Sequence, residues 1–403
     1  MSNLFLGIMT GTSLDAIDIA LCRFENNSVE LIGSHTSAWN PELREILMSL
    51  ATSERVSLDL LTRTHFELAR SYSEAVSACL QKLNLSPADI RAIGLHGQTI
   101  RHLPTPVAIA QSLAPIGATF QLGSGSALAA LCGIDVVSDF RSGDVALGGQ
   151  GAPLVPMFDA RFLRSDRRTR LVTNIGGISN VTYLPIAGSV ENIVAFDTGP
   201  GNMILDGIAR HSLGKPFDDA GTIAATGTVN EELLHKLLAH PYFAIAPPKS
   251  TGREIFGSEF LNIFLENIET GTLSVQDALA TATELTACSI VLAFQWLPKK
   301  VLSLSTNNTK ASDSDAISSI DEIIVSGGGA FNIFLIERLR TLARCEVLLS
   351  DSFGIPAQSK EAIAFAFFAK ALIAREPIHI PSTTGASRTI LLGSLSIGST
   401  SSR

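Results

Sequence analysis

Asp197 is the residue in this sequence best placed for acid–base chemistry. It lies in Phe196-Asp197-Thr198-Gly199-Pro200-Gly201-Asn202, an acid at the end of an apolar run and ahead of a rigid, glycine-containing turn. A carboxylate held there can serve as a general base, although a turn-forming Asp looks the same in sequence. Two other segments have the chemistry of phosphate contact. Gly11-Thr12-Ser13-Leu14-Asp15-Ala16-Ile17-Asp18 joins two apolar runs through small hydroxyl residues and two acids. The N–H groups of a tight turn approach phosphate oxygens, and a carboxylate beside them (Asp15 or Asp18) can hold Mg²⁺ through water. An ordinary hairpin with solvated acids is the alternative. Ser326-Gly327-Gly328-Gly329-Ala330-Phe331-Asn332 follows a buried apolar strand and precedes a helix over 333–342. Three successive glycines let a ring or a phosphate lie against backbone and a helix N-terminus. His96-Gly97-Gln98-Thr99, with Arg101 and His102, is a polar cluster at a strand end, able either to cap or to bind.

Three shorter matches fail on context. Asp197-Thr198-Gly199 spells the aspartic-protease triplet, but that chemistry needs two such acids on an all-β scaffold. Gly123-Ser124-Gly125 imitates a dinucleotide fingerprint without its third glycine, so close helix packing is the better reading. Lys249-Ser250-Thr251 suggests the tail of a phosphate loop, yet no glycine stands five residues before Lys249, and Pro247-Pro248 would spoil a nest of N–H groups.

The elements that must position these residues alternate between strand and helix. Residues 4–9 and 17–21 read as two strands around the first small-residue turn. Apolar spacings of three and four predict helices over 42–50 and 58–83, and 93–95 is a short strand. Residues 103–118, rich in Pro and Ala and without a period, predict a loop; a helix over 124–132 and a strand over 134–137 follow. A second strand, glycine turn and strand, 171–175, Gly176-Gly177 and 181–184, resembles the opening of the chain and suggests an internal repeat. Helices over 229–238 and 275–296 and the strand 323–325 complete the second half. Residues 305–321, rich in Ser, Asn and Asp, predict a polar surface insertion.

The chain has 403 residues, enough for two domains with separate cores. A net charge of −8 argues against a nucleic-acid partner, which would need clustered Lys and Arg. The apolar stretch 363–374 is broken by Lys370, so no membrane span is expected. No basic segment followed by a long apolar run opens the chain, so no secretory signal is expected. Five dispersed cysteines without a CxxC pair argue against a disulfide framework and structural zinc, and a cytoplasmic setting is expected.

Together the glycine hairpins and the late Gly-Gly-Gly-Ala element resemble the nucleotide motifs of the actin, Hsp70 and sugar-kinase superfamily. The resemblance then narrows. Met9 to Asp15, His96 to His102, Asp139-Phe140-Arg141, Gly148 to Pro156, Asn174 to Gly177, Phe196 to Asn202, Pro248 to Glu254 and Gly327 to Asn332 occur in that order. The whole chain thereby resembles the anhydro-N-acetylmuramic acid kinase family. This implies an α/β, two-lobed actin/Hsp70/hexokinase-like fold, with duplicated ribonuclease H-like domains and a cleft between lobes. One lobe would comprise 1–137 plus about 365–403, the other 138–364 with the insertion 305–321.

The family opens the 1,6-anhydro ring of 1,6-anhydro-N-acetylmuramic acid with water and phosphorylates O6 with ATP, in cell-wall recycling. The resemblance implies that Asp197 is the catalytic base. Gly11, Thr12, Ser13, Leu14, Asp15, Ala16, Ile17 and Asp18 would form the ATP segment, and Gly176, Gly177, Gly327, Gly328 and Gly329 would face the nucleotide. His96, Gln98, Thr99, Arg141 and Glu361 are candidates for the sugar, with Arg141 suited to its lactyl carboxylate because guanidinium binds carboxylate in a planar fork. ATP and Mg²⁺ are the expected cofactors, and a cytoplasmic homodimer the expected state. Ala16, where the family commonly has Gly, asks the first hairpin to avoid positive φ there. Three other readings stay open: a plain hydroxyl kinase on another sugar, a nucleotide switch turning over ATP alone, and a non-catalytic sugar sensor.

Overall fold

The structure, a computed structural model, describes residues 3–25, 28–186, 189–298 and 320–398. The expected insertion at 305–321 lies almost wholly outside the described residues. The chain divides into two compact units, Met1–Phe162 with Gly354–Arg403, and Leu163–Phe353.

The first unit is built on a six-stranded sheet. Strands β1 (Leu4–Met9), β2 (Ala16–Glu25) and β3 (Ser28–Ala38) form an antiparallel meander. Then β4 (Ile90–Leu95) joins β1 in parallel, and the sheet continues through β7 (Val136–Ser138) to β13 (Ser394–Ser396). Alternation along β1 sets the layers. Leu6 and Ile8 enter a core with Leu47, Leu68, Tyr72 and Val76 from the helices Pro41–Thr52 and Leu58–Lys82. Gly7 turns to the opposite face, where the apolar helix Lys360–Ile373 lies across β1, β2 and β4.

Of residues 103–118, expected as a loop, 108–115 are the connection of a hairpin, whereas 103–107 and 116–118 belong to its strands β5 (Gln98–Val107) and β6 (Ile116–Leu122). The two-residue period of β6 is there, but β5 carries Pro104 and Pro106 and most of the hairpin beyond Ile100 is partly or fully exposed, so the pair of strands lacks a buried face to mark it. Gly123-Ser124-Gly125 plays the packing part: Ser124 caps the helix Gly125–Cys132, and Gly125 lies against Ser138.

The second unit carries a five-stranded sheet of β8 (Arg170–Ile175), β9 (Ile178–Leu184), β10 (Val194–Pro200), β11 (Glu322–Ser326) and β12 (Glu346–Leu349), in the order β10-β9-β8-β11-β12. The pairing is antiparallel for β8–β9 and β9–β10, and parallel for β8–β11 and β11–β12. This repeats β3-β2-β1-β4-β7, so the duplication expected from the two hairpins is present in topology. The helix Val275–Leu292, started by a Ser274 cap on Asp277 N–H, packs on β9, β10 and four other helices. With the turn that follows it is long and apolar enough to span a membrane, but most of it is buried within this unit, as a core helix should be.

The division near residue 162 falls beyond the glycine-rich connection at 138 because the intervening chain is pinned into the first unit. Phe162 stacks on Phe367 at 5.0 Å, and Asp159 pairs with Lys360 at 2.7 Å with both side chains buried. Asp144 accepts hydrogen bonds from His379 and Thr384.

Candidate active site

The expected sugar residues of the first unit converge where β1 and β4 end side by side. His96 Nδ1 lies 3.2 Å from the Thr10 carbonyl, and Gln98 Nε2 donates to the Gly11 carbonyl at 3.2 Å. Arg141 donates from Nη2 and Nε to His96 Nε2, at 2.9 and 3.3 Å. That arrangement assigns the tautomer: Nε2 accepts, so Nδ1–H donates to Thr10. Burial first, and Arg141 second, push His96 down to about 3, so its ring is neutral. His102 is pushed down to about 4 by the same two causes.

The third Arg141 nitrogen, Nη1, donates to the Gly151 carbonyl at 2.7 Å. Gly151 is itself held by its N–H to Asp144 Oδ2 at 2.6 Å. Burial alone would raise Asp144, but donors from His379, Thr384 and Gly151 hold its carboxyl below the usual range. Arg141 is therefore set by a buried chain of partners reaching to His379. No local sequence signal marks this series of partners, because Asp144 and His379 are 235 residues apart. Thr99 accepts from Gln121 Nε2 across the hairpin at 3.3 Å. Gln98 Oε1 is buried without a hydrogen-bond partner, an acceptor that a ligand hydroxyl would satisfy.

Glu361 opens the helix Lys360–Ile373. Burial holds its carboxyl above the usual range, Lys360 and Arg141 work against that, and Asp18 adds to it. Asp18, on β2, is likewise raised by burial, with its hydrogen bond from Thr36 opposing and Asp15 adding. Repulsion among these acids marks a place that a cation would stabilise. Among the described residues no cluster of three or more metal-ligating side chains occurs. Asp15 and Asp18 still fit Mg²⁺, which is held by one or two carboxylates together with water and phosphate oxygens.

In the turn before β2, only part of the expected ATP segment is presented outward. Thr12 and Asp15 are exposed, whereas the side chains of Leu14 and Ile17 are buried in the core. Leu14, not Ala16, takes the positive φ, 57°.

In the second unit Asp197 lies at a register shift near the end of β10. Its Oδ2 accepts from Thr251 N–H at 2.9 Å, its carbonyl from Tyr242 Oη–H at 2.7 Å, and its N–H donates to the Lys249 carbonyl at 3.2 Å. The carboxylate is half-buried and oriented rather than rotating freely.

Further along the same strand end, the Gly176 and Gly177 carbonyls accept from Asn202 N–H at 2.7 Å and Gly201 N–H at 2.9 Å. The loop after β11 sits against this turn. A side chain at Gly327, where φ is 80°, would strike Asn174 and the Ile175 carbonyl; one at Gly329 would strike the Ile175 side chain. Gly328 between them is exposed, and a Cβ there would meet Asn202 Nδ2 at 3.2 Å. Two of the three glycines thus serve packing, and the third presents bare backbone.

In the sequence Lys249 stands as a failed phosphate-loop lysine and within the run Pro248 to Glu254 that carries the family resemblance, with no task of its own. Its burial was not legible, although a lysine between Pro248 and Thr251 shares a loop with the partner of Asp197.

The resemblance carried by the ordered motifs agrees with the relatives of the chain. The anhydro-N-acetylmuramic acid kinase family matches residues 3–398. A protein of Shewanella pealeana with that name is 38% identical over 394 residues, 98% of each chain. One of Saccharophagus degradans is 39% identical over 394 residues, again 98% of each, and one of Bacillus cereus is 37% identical over 396 residues, covering 96% of this chain and 98% of its own. Both bear the same name. On this match across nearly its whole length, the chain belongs to the anhydro-N-acetylmuramic acid kinase family.

Proposed function

We propose that this chain is an ATP-dependent kinase that opens the 1,6-anhydro bridge of 1,6-anhydro-N-acetylmuramic acid with water. It phosphorylates the freed O6, giving N-acetylmuramic acid 6-phosphate and ADP. Asp197 carries the reading: a half-buried carboxylate with one oxygen fixed by Thr251 N–H is oriented to take a proton. In the reaction it takes that proton from a water molecule as the water oxygen bonds to the anomeric carbon. The bond from that carbon to O6 breaks, and O6 bonds to the γ-phosphorus of ATP as ADP departs. The phosphoryl group thereby occupies the place of the acid in an inverting glycosidase.

His96, Gln98, Thr99, Arg141 and Glu361 hold the sugar. Neutral His96 fixes the Arg141 fork, and Arg141 pairs with the lactyl carboxylate. The backbone of Gly11 to Asp18, Gly176, Gly177 and Gly327 to Gly329 holds the nucleotide. Asp15 and Asp18 hold Mg²⁺ through water. The ion, when bound, neutralises charge on the phosphate oxygens.

The reaction belongs in the cytoplasm, where ATP is supplied. A homodimer is part of the same reading, supported by Leu103, Val107, Ile109, Leu113 and Ile116, all exposed along one hairpin. Light scattering after gel filtration should give twice the chain mass.

The deciding experiment is turnover of ATP and the anhydro sugar in ¹⁸O-labelled water, with mass spectrometry of the product. Label on the anomeric hydroxyl of a 6-phosphorylated sugar is the expected result. An unlabelled phosphorylated sugar would make the protein a plain hydroxyl kinase, and ATP turnover indifferent to sugar would make it a nucleotide switch.

A further inference from the structure

Lys249 is a buried cation to which the reaction above gives no task. It is 8% exposed. Its Nζ donates to the Tyr242 carbonyl at 3.2 Å and lies 4.5 Å from the centre of the Tyr242 ring and 5.6 Å from that of Phe196. Ser289, Leu292, Ala293 and Trp296 close the other side, around a void of about 10 Å³, the lower limit for one water. None of those four is charged. The titratable groups around it are Asp197 on β10, Tyr242, and the acid Glu254 on the helix Arg253–Phe256, with Arg253 exposed beside it.

An ammonium with one carbonyl and two ring faces for partners is poorly solvated, and such a charge persists only where an opposite charge offsets its burial. Asp197, tied to Lys249 through the backbone, acts on it as an opposite charge. The two residues are joined through the backbone, Asp197 N–H to the Lys249 carbonyl, and through the loop, Thr251 N–H to Asp197 Oδ2. Tyr242 completes the arrangement, its carbonyl on Lys249 and its hydroxyl on the Asp197 carbonyl. Burial pulls Lys249 down to about 8, with Asp197 pulling the other way, so the ammonium is retained at neutral pH. Coupling of this kind is reciprocal: whatever the carboxylate does for the ammonium, the ammonium does for the carboxylate.

We propose that Lys249 is a positioning residue for this reaction, its buried ammonium keeping Asp197 ionised and ready to accept a proton. The proposal rests on the reading of Asp197 as the base.

The test is the pH profile of kcat/KM for the anhydro sugar. Lys249→Met moves the acid limb up by about one pH unit. Activity on that limb then falls about tenfold, while the plateau near pH 8 moves far less. Lys249→Arg keeps the limb where it was. A limb unmoved in Lys249→Met, or an equal loss at every pH, overturns the proposal.

Should the Met variant not fold, the same coupling is read from the other side. In Asp197→Asn the Lys249 midpoint, followed by NMR on ¹³Cε-labelled lysine, falls below its wild-type value; an unmoved midpoint overturns the proposal. Failure of the underlying reading looks different. An Asp197→Asn protein that keeps its turnover removes the base, whereas an inactive one with an unmoved Lys249 midpoint removes only the coupling.

Discussion

The turn between β1 and β2 and the turn between β8 and β9 occupy the same place in two sheets of the same strand order, and they are dressed differently. In the first, the carbonyls of Thr10 and Gly11 are taken by His96 and Gln98, and the turn carries Thr12, Ser13 and Asp15, with Asp18 just beyond it on β2. In the second, the carbonyls of Gly176 and Gly177 are taken by the start of the helix Asn202–Leu213, and the turn has no side chains at all. One copy of the repeat has become a bearer of polar side chains. The other has become a bare backbone surface with an oriented acid nearby. A duplicated scaffold permits this division because the strand order fixes where each turn lies, while the residues in the turn are free to diverge.

The sharpest break in that division is Asp197→Asn. The amide oxygen still accepts from Thr251 N–H, so the loop keeps its anchor, but the proton acceptor is gone. We expect kcat to fall by about 10²–10⁴ while calorimetry shows unchanged ATP binding. Turnover near the wild-type value would mean that the second unit contributes backbone only.

The two units also differ in how closely a helix approaches the sheet. In the first, a Cβ on Gly7 would lie 1.8 Å from the Ala362 carbonyl oxygen, and one on Gly94 would lie 1.9 Å from that of Phe365. The matching strands β8 and β11 contain no glycine. Gly94→Val therefore pushes the helix Lys360–Ile373 off its sheet and destabilises the protein by about 3 kcal/mol. Hydrogen exchange should show the loss of protection concentrated in the first unit. A uniform loss across both would dissolve the contrast.

Acid separates the units by a smaller step. His96 and His102, both in the first unit, release their protons more readily when folded, at about 3 and about 4 against 6.5. The unfolded chain binds more protons in that window, so stability present above pH 6.5 is lost as the pH falls toward 4 and then 3. Each group contributes up to about 1.4 kcal/mol per pH unit. Urea midpoints at pH 5 and pH 7 should differ less in His96→Gln than in the wild type. An equal difference would mean that His96 is protonated in the folded protein.

The repeat was legible in sequence because a glycine turn between two apolar runs leaves a local mark, and so was Asp197 in its proline- and glycine-bounded turn. The hairpin β5–β6 was not, since Leu103, Val107 and Ile116 are exposed and β5, interrupted by Pro104 and Pro106, matches the alternation of β6 with no buried face. The unit boundary was shifted by contacts at long sequence separation: Asp159 with Lys360 and Asp144 with His379 tie a glycine-rich connection into the first unit. The chain of partners behind Arg141 belongs to the same class, and so does the Phe196 ring that Lys249 reaches from a distant part of the chain, beside the nearby Tyr242.

The three glycines after β11 give the finest test of what the bare copy of the repeat is for. Gly327 and Gly329 are fixed by packing against Asn174 and Ile175, so a change at either disturbs the fold before it can report on a ligand. Gly328 is exposed, and among the described residues a Cβ there would meet the Asn202 amide at 3.2 Å, which can give by a few tenths of an ångström. Gly328→Ala should then leave the urea midpoint within about 0.5 kcal/mol of wild type. If bare backbone here lies against the nucleotide, the same methyl group raises KM for ATP several-fold and leaves KM for the sugar alone. A variant with normal stability and an unchanged KM for ATP would place the nucleotide elsewhere, and the absence of side chains in this turn would then be a matter of packing alone.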